Sequence, residues 1–131
     1  DAYYQNFDLD HVLPISDIVI LTLPLTKETR HLINADRLNR MKDGSVLVNV
    51  SRGDIVDEGA LLRLLRQGKF LGVALDVFET EPLPVTSPLW SHDRVLVTPH
   101  NSFVSEKITE RLFQLVLRNL KSAKAREVFG C

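Results

Sequence analysis

Four short, nearly unbroken apolar runs constrain this chain more than any other feature. They are residues 17–23 (DIVILTL, closed by Pro24), 45–50 (SVLVNV), 70–77 (FLGVALDV) and 94–98 (RVLVT, closed by Pro99). Runs of β-branched residues and leucine without polar alternation are the pattern of strands buried on both faces, as in a parallel sheet. Helical signals fall between them. Asn34 is a candidate N-cap for a helix over residues 35–42, with Gly44 as its stop. Residues 57–67 (DEGALLRLLRQ) predict an amphipathic helix ended by Gly68, with Leu61, Leu62, Leu64 and Leu65 inside and Arg63 and Arg66 outside. A short helical turn is expected over residues 8–15 and a proline-rich loop over 79–89. Ser105 is read as the cap of a long helix over residues 105–126. Its apolar stripe of Ile108, Leu112, Leu115, Val116 and Leu120 is most simply core, with docking on a domain outside this sequence as the other reading.

Strand, helix, strand, helix, strand, loop, strand, helix is the order of an α/β fold: a parallel sheet with right-handed crossovers and flanking helices. Ligands of such sheets sit at the carboxyl ends of the strands. Residues 24–26, 51–53, 76–81 and 99–102 are therefore the places to look for chemistry.

Bulk properties narrow the classes. A length of 131 residues fits one domain, and a formal charge of −1 gives no basic surplus for nucleic acid. The single cysteine, Cys131, permits no internal disulfide, so a reducing, cytoplasmic setting is expected. No apolar run approaches the roughly 18 residues that span a membrane. The opening DAYYQNFDLD resembles no signal peptide and lacks an initiator Met, so a fragment or processed product is expected.

Three segments place polar residues directly after strands. NVSRGDIVDEGAL, residues 49–61, puts Arg52 at a strand end, followed by Gly53, which lets backbone approach a ligand. LDVFETEPLP, residues 75–84, gathers Asp76, Glu79 and Glu81. VTPHNS, residues 97–102, sets His100 behind a proline that fixes the local backbone. Asp54 and Asp57 read as a turn residue and a helix cap, and His11, His31 and His92 as surface residues. The Tyr3–Tyr4 pair reads as packing or a frayed end. No histidine pair has helical metal-ligand spacing, and no G-x-S-x-G elbow supports a hydrolase at Ser102.

With the preceding LPLTKETRHLI, residues 22–33, these segments resemble the D-isomer-specific 2-hydroxyacid dehydrogenase family. Its N-x-[AS]-R-G-x-x-V-D-E-x-A-L, D-V-F-x-x-E-P and T-P-H patterns occur in order at residues 49–61, 76–82 and 98–100. The resemblance implies a Rossmann-like sheet and a hydride transfer between NAD, or NADP, and a small 2-oxo or 2-hydroxy acid. It implies Arg52, Glu81 and His100 as the catalytic set. The residue types suit that work. A guanidinium fork grips the substrate carboxylate and polarises the ketone. An imidazole, which changes charge near neutral pH, delivers the proton. A carboxylate orients the imidazole and favours its charged form. Glu79 competes with Glu81 for that last role, and the family pattern favours the glutamate before proline.

The resemblance also implies cofactor contacts from Pro24, Val50, Ser51, Arg52, Asp76, His100, Asn101, Ser102 and Phe103. Asp76 would accept a hydrogen bond from the nicotinamide carboxamide. A homodimer is implied for the parent protein. The family's G-x-G-x-x-G phosphate fingerprint is absent from this sequence, so residues 1–131 are read as a partial nucleotide-binding domain. The fingerprint and a substrate domain are expected elsewhere, and Asp1 is left open as the ribose-binding acid. Two other functions stand beside the dehydrogenase: a dinucleotide-sensing, corepressor-like binding protein, and an inactive remnant of the family.

Overall fold

The computed structural model describes residues 9–129, with side chains described to residue 119. Asp1, Tyr3, Tyr4, Asp8, Cys131 and the side chain of Leu120 lie outside the described residues. A short helix α1 (Leu9–Val12) runs into a 3-10 turn, Leu13–Ile15. Then come β1 (Ile18–Leu21), α2 (Ala35–Arg40), β2 (Val46–Asn49), α3 (Glu58–Arg66), β3 (Gly72–Leu75), β4 (Val95–Val97) and α4 (Ile108–Phe129).

The caps form as their chemistry dictates. The Asn34 side chain accepts from Arg37 N at 3.0 Å, and the Asp57 side chain accepts from Ala60 N at 2.8 Å. Gly44 and Gly68, both with φ of 76°, take the left-handed turns after α2 and α3.

The four strands pair in parallel in the order β1-β2-β3-β4. This monotonic order has a consequence for the layers. Every crossover steps the same way across the sheet, and right-handed crossovers then place α2 and α3 on the same face. Leu38 of α2, Met41 at its end, and Leu61, Leu64 and Leu65 of α3 bury against Leu21, Leu47, Val73 and Leu75. Leu62 lies at the margin, half-buried.

The expectation of strands buried on both faces is corrected by that layering. Ile18 and Ile20 of β1 are 61% and 59% exposed, and Leu96 of β4 is 64% exposed. Ile20, Val48, Ala74 and Leu96 are register partners across the sheet and form one row, exposed at Ile20 and Leu96 and half-buried at Val48 and Ala74. The core reading of the last helix is corrected too. It begins at Ile108, and Ile108, Leu112, Leu115 and Val116 stand exposed. No helix among the described residues is long and apolar enough to cross a membrane.

Candidate active site

The chain leaves β2 through a tight polar turn built on Asn49, a residue 1% exposed at the last position of the strand. Its Oδ1 accepts from Ser51 N at 3.1 Å and Ser51 Oγ at 2.8 Å, and its Nδ2 donates to Arg52 O at 2.9 Å. Arg52 is thereby presented at the carboxyl end of the sheet, exposed, with Nη1 donating to Ser51 O at 2.6 Å. Gly53 follows against the next loop. A Cβ there would lie 1.9 Å from the Phe78 carbonyl carbon, so only glycine fits.

His100 is held on two sides. Its Nδ1 lies 2.8 Å from Glu81 Oε2, while Glu81 Oε1 accepts from Phe78 N at 3.0 Å. The Glu81–Pro82 peptide is cis. The His100 backbone sits in the left-handed region with φ of 52°, which a residue bearing a Cβ adopts at a cost of about 1 kcal/mol or more. Asp76 holds this turn. Its Oδ1 accepts from Thr98 Oγ1 at 2.5 Å and Asn101 N at 3.0 Å, and its Oδ2 accepts from Ser102 N at 2.9 Å.

The electrostatics follow from these contacts. Burial pushes the Asp76 carboxyl up, but the Thr98 hydroxyl, the Ser102 amide and hydroxyl and the Asn101 amide outweigh it and bring the pKa down to about 2. Partial burial likewise raises Glu81. The His100 ring, the Phe78 amide and the positive charges of His100 and Arg52 reverse that and hold it below the usual carboxylate range. Glu81 is thus an ionised acceptor, and the ring nitrogen it faces is Nδ1 of His100.

The chain matches the family described as D-isomer specific 2-hydroxyacid dehydrogenase, NAD binding domain, over residues 1–102. It belongs to that family. A glyoxylate reductase of Thermofilum pendens is 48% identical over 113 residues, which are 86% of this chain and 33% of the relative. The D-isomer specific 2-hydroxyacid dehydrogenase of Xanthobacter autotrophicus Py2, solved in complex with NADPH and MES, superposes with a TM-score of 0.74 at 50% identity. That match covers 79% of this chain and 33% of the other. A family protein of Aeromonas salmonicida superposes with a TM-score of 0.77 at 41% identity, covering 97% of this chain and 39% of the other. The chain spans about a third of the length of the first two of these proteins.

The motif residues of this dehydrogenase family fall around two hollows at the carboxyl ends of the strands. One, of about 430 Å³, lies between the exits of β1 and β2 and is lined by Pro24, Val50, Ser51 and Arg52, with Thr22 and Leu25. The other, also about 430 Å³, lies beside β4. It has Phe78, Leu83, Trp90 and Val97 as apolar walls and Glu81 and His100 as polar groups. Arg52 and His100 line different hollows. Asn101 and Ser102 turn their amides to Asp76, and Phe103 is 67% exposed.

Asp76 was expected to accept from a nicotinamide carboxamide. The residue is 2% exposed and its carboxylate already takes Thr98, Asn101 and Ser102, so its visible task is to hold the His100 turn. Glu79 does not reach His100. It lies 3.1 Å from His31 Nε2 instead. Thr98, Phe78 and Asn49 lie inside the quoted motifs, so their scaffolding work had a signal in the sequence. Trp90 had none, since it follows no motif or strand end. Among the described residues, no group of three His, Cys, Asp or Glu side chains is placed to hold a metal ion.

Proposed function

We propose that this chain is part of an NAD(P)-dependent dehydrogenase that reduces a small 2-oxo acid to the D-2-hydroxy acid, and the reverse. The observation that carries the reading is the His100 Nδ1–Glu81 Oε2 contact of 2.8 Å at the sheet's carboxyl end, in a chain that presents Arg52 one strand exit away. With Nδ1 tied to a carboxylate, Nε2 is the ring atom left for proton exchange with substrate oxygen. In reduction, His100 gives its Nε2 proton to the developing alkoxide. In oxidation, neutral His100 takes the hydroxyl proton. Arg52 holds the substrate carboxylate and polarises the adjacent carbonyl.

Bound NAD(P)H would supply the hydride. The hollow at Pro24, Val50, Ser51 and Arg52, with apolar walls and strand-end backbone, fits the nicotinamide end of such a cofactor. We assign Asp76, Asn101, Ser102 and Phe103 to the border of that site, with Asp76 acting through the turn it holds. The glycine-rich half of the nucleotide-binding domain and the substrate domain are proposed to lie in the remainder of a longer protein. The span of about a third of its relatives supports this. A homodimer working in the cytoplasm, with neither nucleic acid nor membrane as partner, completes the proposal. The glyoxylate reductase relatives make glyoxylate the first substrate to try.

The test is NADH and NADPH oxidation by the longest protein its gene encodes, against a panel of 2-oxo acids. His100→Ala is expected to lower kcat by about 10²-fold or more. Turnover that survives the substitution would sink the assignment. Cofactor binding without turnover would favour the sensing protein, and neither would favour the remnant.

A further inference from the structure

Glu79 stands at an open position inside the D-V-F-x-x-E-P pattern, and the proposed chemistry leaves it over. Its Oε1 accepts from Glu58 N at 3.0 Å, and its own N–H donates to Glu58 Oε2 at 3.3 Å. Each glutamate thus takes the other's backbone amide, which ties the first turn of α3, where the loop carrying Arg52 ends, to the loop carrying Glu81. The same two loops meet in backbone contact at Gly53 and Phe78. From there the chain of contacts continues: Phe78 N donates to Glu81 Oε1, and Glu81 Oε2 meets His100.

Starting helix α3 does not require this tie. Asp57 already caps it through Ala60 N. Burial raises the Glu58 carboxyl; the Glu79 amide that it accepts from lowers it, and the negative charge of Glu79 raises it by less. His31 faces the pair from the other side, with Nε2 at 3.1 Å from Glu79 Oε1 and its own N–H on Asp54 O at 2.7 Å.

We propose that Glu58 and Glu79 are positioning residues whose reciprocal tie sets the separation between the Arg52 guanidinium and the Glu81–His100 pair. The inference rests on the catalytic roles proposed above. A 2-oxo acid must be gripped at its carboxylate and protonated at its carbonyl oxygen at once. A displacement of one loop by about 1 Å is enough to cost up to about 100-fold in rate.

The experiment uses the full encoded protein, with NADH and glyoxylate. Glu79→Ala is expected to raise KM for glyoxylate about tenfold and to lower kcat, with KM for NADH within about twofold of the parent. Glu79→Gln keeps an acceptor oxygen for Glu58 N and should recover most of the loss. Glu58→Ala removes the other bond of the pair and should act in the same direction, and the double variant should lose less than the two single losses combined, since both bonds hold one junction. Amide hydrogen exchange over residues 52–54 should quicken in Glu79→Ala, a readout that needs no turnover. Unchanged exchange, kinetics within twofold of the parent, or additive losses in the double variant would each overturn the inference. A parent protein without turnover would instead defeat the proposed function, and the exchange measurement would still decide whether the tie exists.

Discussion

The carboxyl-end loops and the uncovered row of the sheet are built from the same four strands, yet they end in opposite conditions. In the loops, polar groups find partners within the chain: Asn49 closes the Arg52 turn, Asp76 holds the His100 turn, and Glu81 joins Phe78 to His100. On the sheet face opposite α2 and α3, Ile18, Ile20 and Leu96 are each about 60% exposed and touch no covering layer. The contrast shows where this chain is self-sufficient. Its site scaffold is specified locally, by residues close to the strand ends, whereas its strands are written for a second layer that the described residues do not supply.

The contrast breaks most severely at Gly53. In Gly53→Ala, the new Cβ would meet the Phe78 carbonyl carbon and oxygen at 1.9 and 2.0 Å, and backbone atoms cannot swing aside as a side-chain tip can. The loops would have to part. A loss of about 3 kcal/mol or more is expected in urea unfolding, with any dehydrogenase activity lost alongside it. A variant as stable as the parent would mean the two loops are not closed on one another.

Asp76 is the next test. Its carboxyl is lowered from 3.8 to about 2, so its contribution is present in full above its unfolded pKa and disappears as pH falls from about 4 to about 2. The amount at stake is roughly 2 kcal/mol. Glu81, also lowered, acts in the same direction. Asp76→Asn should flatten the acid limb of the stability profile. It should also cost about 1–3 kcal/mol at neutral pH, because an amide offers one acceptor oxygen where the carboxylate offers two. An unchanged acid limb would show that the His100 turn is held by something other than this carboxylate.

How far the sequence reached follows the same division. Strand–helix alternation fixed the parallel sheet, since apolar runs and caps are local signals. The places of Arg52, Glu81 and His100 at the strand exits were legible from strand ends and family motifs together, and their catalytic roles are what is proposed. The choice between Glu79 and Glu81 was decided by family pattern alone. In the structure it turns on which carboxylate reaches the His100 ring, a contact across nineteen residues that spacing does not encode. The part Asp76 plays in holding the His100 turn was not legible, because an acid after a strand looks the same whether it faces a ligand or the next turn. Trp90 was missed because it becomes a wall only when the loop after β3 folds beside β4. The bare row could not be foreseen either. A continuous apolar run states that a strand has two apolar faces, not that both are covered.

The smallest effect separates the two regions most cleanly. Ile20 and Leu47 are aliphatic residues on neighbouring strands, facing opposite sides of the sheet at 59% and 0% exposure. In the described chain, Leu47→Ala should cost about 2–5 kcal/mol by opening a cavity under α2 and α3. Ile20→Ala removes little that is packed and should stay within about 0.5 kcal/mol. The pair can be measured in the 131-residue chain and again in the full encoded protein. A cost for Ile20→Ala that climbs towards that of Leu47→Ala in the longer protein would show that residues beyond these cover the row. A cost that stays small in both would mean the row is a free surface, and that the apolar character of β1 serves its pairing with β2 more than the burial of its outer face.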